Sequence, residues 1–445
     1  MRIISLLALL SLTATAGTTV VRPNIVVILA DDLGYADISA HGSKEIATPH
    51  IDSIGRRGVR FTDGYVTAPQ CSPSRVGLLT GRYQQRFGHE TNLTMRAALD
   101  HGARLIPEYL QPAGYATALI GKWHLGETDP AHHPSKHGFD TVYDAKSAEA
   151  GATPDPRLRT QSYFERAAAY IAQPRSQPFF LYVAPMSPHV PQVYAPRYDA
   201  VFDAAQGSAV RRACIAMMAE LDDGVGRILA ALRAARLEEN TLVVFLSDNG
   251  GQPPQNGSLN HPLRGKKGDV YDGGIRVPFL AQWPGTIPPA QIYAHPVTSL
   301  DLLPTALAAA GAAPLAGASL DGVDLLPFLT GKNSAAPHAR LYWRWTFQGS
   351  AKRAIRAGEW KWVRNGNAPA ELYRIAADVG EATNLAAAEP AKLAELSAAY
   401  DAWVAPHPPI APRTIPARPR RGKRKHHKPA GAKSVSDTAA PKKNN

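Results

Sequence analysis

Asn24-Ile25-Val26-Val27-Ile28-Leu29-Ala30-Asp31-Asp32-Leu33-Gly34 sets the reading of the whole chain. Every residue from Ile25 to Ala30 is apolar and most are β-branched. A run this continuous marks a strand buried on both faces of a parallel sheet. It ends in two adjacent carboxylates, and in open α/β sheets sites form just beyond the carboxyl ends of strands. Asp31 and Asp32 repel each other unless a cation or a proton lies between them. In isolation the pair also fits a solvated turn with helix-capping aspartates.

A second strand repeats the arrangement. Thr241-Leu242-Val243-Val244-Phe245-Leu246 runs into Ser247-Asp248-Asn249-Gly250-Gly251. Asp31, Asp32, Asp248 and Asn249 form an all-oxygen set, which suits Ca²⁺ or Mg²⁺ rather than zinc or copper. No HxH, HExxH or CxxC pattern competes with it. Ala116 to Ile120 reads as a further strand, followed by Lys122 and His124, which share one face if the backbone stays extended. Phe179 to Ala184 is another, followed by His189. Leu263-Arg264-Gly265-Lys266-Lys267-Gly268 then leads to Tyr271 and Pro278. Ile51 to Gly58 and Ala213 to Leu232 read as helices between strands. The fold class predicted is α/β, a mixed, mostly parallel sheet flanked by helices.

After Gly331 the pattern shifts. Residues 332–338 are small and polar, a linker. Leu341 to Trp345, Arg353 to Arg356 and Trp360 to Val363 alternate apolar with charged residues, which reads as antiparallel strands with one wet face. Glu389 to Val404 reads as a helix on them. This predicts a smaller C-terminal α+β domain on an antiparallel sheet, without a catalytic cluster.

Between the strands lies Cys71-Ser72-Pro73-Ser74-Arg75, a turn feeding a helix over the following small and apolar residues. Cys71 is expected at or just before a helix N-terminus, where backbone N–H groups favour anions. Arg75 adds a fork of donors suited to a tetrahedral oxyanion. A lone cysteine is otherwise a small buried hydrophobe, the reading given to Cys214.

Composition narrows the class. The chain has 445 residues, 44% hydrophobic and 19% charged, which suits one large domain plus a smaller one. Its two cysteines exclude a disulfide scaffold. Of the net charge of +12, residues 413–445 carry +10, so the basic character belongs to a tail and the body is near neutral. Residues 1–16 read as a secretion signal: Arg2, an apolar run to Leu12, and Ala14-Thr15-Ala16. That run is too short for a membrane span. The expected organisation is a signal at 1–16, a catalytic domain at 22–331, the antiparallel subdomain at 339–405 and a disordered basic tail at 406–445. An exported protein, periplasmic or secreted, with no transmembrane segment and no nucleic-acid partner, follows.

The motifs together resemble the type I sulfatases of the alkaline-phosphatase-like superfamily. Matching blocks are Pro23 to Gly34, Cys71 to Gly81, Gly121 to Gly126, Ser247 to Gly251, Leu263 to Pro278, Ser299 to Pro304, Asp321 to Gly331 and Glu371 to Leu385. The resemblance implies that Cys71 is oxidised to formylglycine (3-oxoalanine) by a maturation enzyme. It implies one Ca²⁺, or Mg²⁺, held by Asp31, Asp32, Asp248 and Asn249 and facing residue 71. Arg75 and Lys122 would stabilise the aldehyde hydrate and His124 would assist it. His189 and Lys267 would contact the sulfate and the leaving oxygen. Many members have two glycines before that lysine where this chain has Gly265-Lys266, so Lys266 is a second candidate for the role. In the implied reaction one hydroxyl of the hydrate attacks sulfur, and the other expels sulfate as the aldehyde re-forms. His189 is the expected acid and His124 the expected base.

The implied substrate is a sulfate ester, and family habit together with export points to a sulfated carbohydrate. Sugar recognition is assigned to loops 84–104, 127–160 and 250–262. Phosphate diesters or phosphonate monoesters are the enzymatic alternative, and a non-catalytic polyanion-binding protein with a relict site is the other. The sequons at Asn92 and Asn256 matter only in a glycosylating source.

Overall fold

The computed structural model describes residues 22–92, 102–126, 130–144, 155, 158–314, 317–347 and 350–408. The expected signal at 1–16 and tail residues 409–445 lie outside them, as do parts of the loops at 84–104 and 127–160.

The strands run, in chain order, β1 Asn24–Ala30, β2 Val59–Phe61, β3 Gly64–Tyr65, β4 Ala116–Gly121, β5 Thr141–Tyr143, β6 Phe179–Ala184 and β7 Thr241–Ser247. They continue with β8 Phe279–Gln282, β9 Gln291–Tyr293, β10 Val297–Thr298, β11 Arg340–Phe347, β12 Ser350–Ala357, β13 Trp360–Asn365 and β14 Glu371–Arg374. Eight form the main sheet in the order β5-β4-β6-β1-β7-β8-β2-β9. The first five are parallel, whereas β8 is antiparallel to both of its neighbours.

β1 lies inside this sheet and is buried along its whole length. Its alternate side chains feed two cores. Ile25, Val27 and Leu29 pack with Val76 and Leu79 of the helix Cys71–Thr80 and with Leu303 and Leu307 of the helix Leu302–Ala310. Val26, Ile28 and Ala30 pack on the other face with the helices Pro49–Arg56, Arg159–Ala172 and Ala209–Ala234. Each large aliphatic buried this way contributes about 1.5–3 kcal/mol. The first helix begins and ends two residues before its expected bounds. Pro49 opens it, at a position where a missing N–H loses no partner. Cys214 is buried in the second core, as expected of a structural cysteine.

The C-terminal strands form a four-stranded antiparallel sheet in sequence order. The expected wet face is not there. Trp343, Ala354, Val363 and Tyr373 meet Tyr65, Val270 and Ile275, while Ile355, Trp362 and Leu372 meet Leu396 and Tyr400 of the helix Pro390–Val404. The alternating cations point into the body, where they find carboxylates. Lys361, 0% exposed, pairs with Asp272 and Glu381, Arg356 pairs with Asp63, and Arg344 pairs with Glu90. Alternation of charge therefore marks ion pairing across the two sheets, which lie in one compact unit. Residues 406–408, expected to begin the tail, also pack on the body. The His407 ring lies 4.5 Å from that of Trp403, and the Pro408 carbonyl accepts from Arg344.

One buried carboxyl gives the fold a pH dependence. Glu220, on the long helix Ala209–Ala234, is 1% exposed. Burial pushes its carboxyl up to about 7, and the Ala195 amide pulls it only partly back. The folded chain thus holds a proton that the unfolded chain releases above about 4.5, so stability falls as pH rises from there to about 7. The expected loss is roughly 3 kcal/mol. Denaturant titration at pH 5 and pH 8 should show Glu220→Gln losing about that much less than the parent chain. Equal losses in the two proteins would overturn the assignment.

Candidate active site

Strand register brings the predicted residues together. Ala30 lies opposite Ser247, and Gly121 opposite Ala184, so their chains leave the sheet side by side. The Asp248 amide donates to the Ala30 carbonyl and the Asp31 amide to the Ser187 carbonyl, each at 3.0 Å. Gly121 has φ 115°, and a Cβ there would lie 2.1 Å from the Ala184 oxygen, so only glycine lets the chain turn and present Lys122. A Cβ on Gly250 would lie 1.9 Å from the Gly273 oxygen. That close approach brings the segment bearing Lys267 against the loop after β7, where the Lys267 amide donates to Gly251.

Cys71 is the first residue of its helix, as expected, and is 0% exposed. Its Sγ lies 3.4 Å from Asp31 Oδ1, 3.6 Å from Asp32 Oδ1 and 3.1 Å from Lys267 Nζ. Lys122 Nζ reaches Asp31 Oδ2 at 2.6 Å. Lys267 Nζ reaches both oxygens of Asp32, at 2.6 and 2.8 Å. Arg75 lays Nε and Nη2 on Asp248 Oδ2 at 3.0 and 2.7 Å, and its Nη1 donates to the Lys122 carbonyl. Three buried carboxylates thus meet three cations around one sulfur.

His189 Nε2 lies 3.6 Å from Asp32 Oδ2. Its Nδ1 donates to the Val190 carbonyl, which orients the ring and aims Nε2 into the site. Asp31, Asp32, Cys71 and His189 each offer one ligand atom within 4.8 Å of the others. Asn249 donates its amide to Asp32 Oδ1 and to Gly250, leaving its own Oδ1 buried and without a hydrogen-bond partner. An orphaned carbonyl oxygen beside three carboxylates is the donor chemistry of a hard divalent cation, so these residues fit one.

The expectation that Lys122 and His124 share an extended face does not hold. His124 has φ 65°, in the left-handed region, and its carbonyl accepts from Ser72 Oγ at 2.8 Å. It still stands in the field of Lys122, Arg75 and Asp31. Burial, then those two cations, hold its imidazole well below the usual range, so it is neutral. Lys266 is exposed, so Lys267 is the lysine at the sulfur.

Burial pushes the Cys71 thiol well above its ordinary range, and the charges of Asp248, Asp31 and Asp32 add to this against Lys122. A thiol used directly as a nucleophile needs the opposite shift. Burial also raises Asp31, but Lys122, His189, Arg75 and Lys267 outweigh it and hold that carboxyl well below its usual value.

Sequence reasoning missed two groups that shape the site. Asn256, read only as a sequon, is 0% exposed and donates to the Asp32 carbonyl at 3.0 Å. The other sequon asparagine, Asn92, accepts from the Ser72 amide, and Ser72 Oγ also meets His89 Nε2 at 2.7 Å. A sequon says nothing of a bond to the site. The only signal was an Asn-Gly-Ser turn close behind the acids of the second strand.

Comparison with known proteins places this geometry. The family profile described as Sulfatase matches residues 23–312, and one described as N-sulphoglucosamine sulphohydrolase, C-terminal, matches residues 265–399. The chain is 34% identical to N-acetylgalactosamine-6-sulfatase of Sus scrofa over 394 residues, covering 77% of this chain and 73% of that protein. It is 35% identical to arylsulfatase A of Homo sapiens, covering 79% and 77%. Among solved structures, Ps i-CgsB in complex with k-i-k-neocarrahexaose superposes with a TM-score of 0.82 at 32% identity, covering 88% of this chain and 94% of that one. The chain belongs to the sulfatase family, and its activity is the hydrolysis of sulfate esters.

Proposed function

We propose that the substrate is a sulfated carbohydrate, and that hydrolysis uses formylglycine at position 71 together with one divalent cation, Ca²⁺ in preference to Mg²⁺. The observation that carries this is the meeting of Asp31, Asp32 and Asp248 with Arg75, Lys122 and Lys267 around the Cys71 sulfur. Those charges balance, so a divalent ion held by the acids and Asn249 leaves an excess of two positive charges, the sign that attracts a sulfate ester. When bound, the ion supplies Lewis-acid polarisation of a sulfate oxygen, and hydrated formylglycine supplies paired hydroxyls on one carbon.

The chain's own residues do the rest. Lys122, Lys267 and Arg75 offset charge on the sulfuryl oxygens, a well-placed donor of this kind being worth about 3 kcal/mol. His189, carrying a second proton on the Nε2 that faces the site and Asp32, gives it to the leaving oxygen, and neutral His124 takes the proton that lets sulfate leave. The sugar assignment is supported by relatives whose names carry an aminosugar sulfate or a bound oligosaccharide. Among the described residues no helix is long and apolar enough to cross a membrane.

The test is sulfate release from a panel of defined sulfated oligosaccharides, with aryl sulfate and phosphate diesters alongside. We expect turnover of one sugar class to exceed that of both controls. Faster cleavage of phosphate diesters, or of aryl sulfate alone, would overturn the substrate reading. Mass spectrometry of the same preparation checks that the Cys71 peptide has exchanged sulfur and two hydrogens for one oxygen, and that residues 1–16 are gone.

A further inference from the structure

Asp32 is one of two site residues held in the left-handed region without being glycine, with φ 63°. Such a conformation persists only where the surroundings over-determine it. Both backbone polar groups of Asp32 are held by side chains. Its amide donates to Asp248 Oδ1 at 3.2 Å, and its carbonyl accepts from Asn256 Nδ2 at 3.0 Å. Asn256 is itself fixed on every side. Its Oδ1 accepts from the amides of Ser258 and Gln252, and its carbonyl accepts from Gln192 Nε2 at 2.8 Å. Arg211 ties the next residue to the loop after β1 by reaching both the Gly257 carbonyl and Asp37. No bond from Asn256 to Cys71 or to a cation of the site occurs among these contacts.

We propose that Asn256 is a positioning residue for the ion site: its amide locks the Asp32 carbonyl, and so the left-handed turn that aims the Asp32 carboxylate at position 71. The inference rests on the ion site proposed above. His124 shows the same device, its carbonyl held by Ser72 Oγ at φ 65°. The sequon at Asn256 is accordingly spent on the fold, since its nitrogen is bonded and its side chain is closed to solvent.

Asn256→Asp isolates the bond. It keeps the outline and the Oδ1 acceptor, removes the donor to Asp32, and adds negative charge behind the acids. Charge alone predicts tighter cation binding, whereas lost positioning predicts weaker binding. Calorimetric titration of metal-free, full-length protein with Ca²⁺ should give about tenfold weaker binding in the variant, with kcat reduced and KM little changed. Binding as tight as in the parent chain, or tighter, would overturn the role. If the parent chain itself bound no Ca²⁺, the ion site would fall and this role with it. Should Asn256→Asp not fold, Gln192→Ala removes the bond to the Asn256 carbonyl from a partly exposed position. It should weaken Ca²⁺ about two- to threefold, and unchanged affinity there would equally overturn the role.

Discussion

Cys71→Ala is expected to fold normally and to lose sulfate-ester turnover by about 10⁵–10⁶-fold, the scale seen when a hydrolase loses its nucleophile. The substitution removes one sulfur from a closed site and takes no bond from the backbone, since the contacts of Sγ are all to side chains of the charge cluster. The helix it begins keeps its apolar face, including Val76 and Leu79, in the first core. The two readouts therefore separate. Thermal unfolding should be within a few degrees of the parent chain, while sulfate release from an aryl sulfate vanishes. Turnover near the parent rate would show that residue 71 is not the attacking group. Cys71→Ser asks a sharper question, because a hydroxyl that has not been converted to an aldehyde hydrate has no second hydroxyl with which to shed sulfate.

Asp248→Ala is expected to fail twice. Arg75 is fully buried and lays two nitrogens on Asp248, so removing the carboxylate leaves it only Asp31, 3.9 Å away and already paired with Lys122, as an acidic partner in a closed site. Breaking one partner of such a pair costs about 3–5 kcal/mol. The same residue accepts the Asp32 amide and completes the acid set, so bound metal and activity should fall with stability. Denaturant unfolding and elemental analysis of the purified variant measure the two losses independently. Retained metal would remove Asp248 from the ligand set, and unchanged stability would show that Arg75 finds another partner. Asp248→Asn should restore part of the stability, since an amide oxygen still accepts from Arg75, without restoring the charge that binds the ion.

Much of this site is legible in the sequence alone. β1 and β7 are continuous apolar runs that end in acids, and strands of one parallel sheet bring such ends together by register alone. Cys71 and Arg75 lie four apart on one helix, so a single turn places both. Lys267 is harder to read, because it comes from a glycine-rich segment with no period: the Gly268 that follows favours it, and contact with the sulfur together with the exposure of Lys266 separates the two. His124 stands near the cations of the site, but not by the extended geometry that spacing suggests, since a positive φ at a histidine leaves no trace in spacing. β2, β8 and β9 are three or four residues long, too short for alternation to show. The antiparallel C-terminal sheet is legible in the sequence, but its expected wet face is not there, for another reason. Lys361 and Arg356 look like surface residues in a sequence, and only the acids contributed by the main body, Asp272 and Asp63, reveal that the charges face inward.

That inward face has a consequence for anyone trimming the protein. Ending the chain at residue 331 would take away the ammonium that neutralises Asp272 and the guanidinium that neutralises Asp63. It would also release the Gly268 carbonyl, which Lys352 pins one residue from Lys267, leaving only the amide of Gly268 held, by Pro69. The part that remains would leave Asp63 and Asp272 to share the one guanidinium of Arg276, and the loop beside Lys267 would lose an anchor. The smallest working form of this molecule therefore includes both sheets.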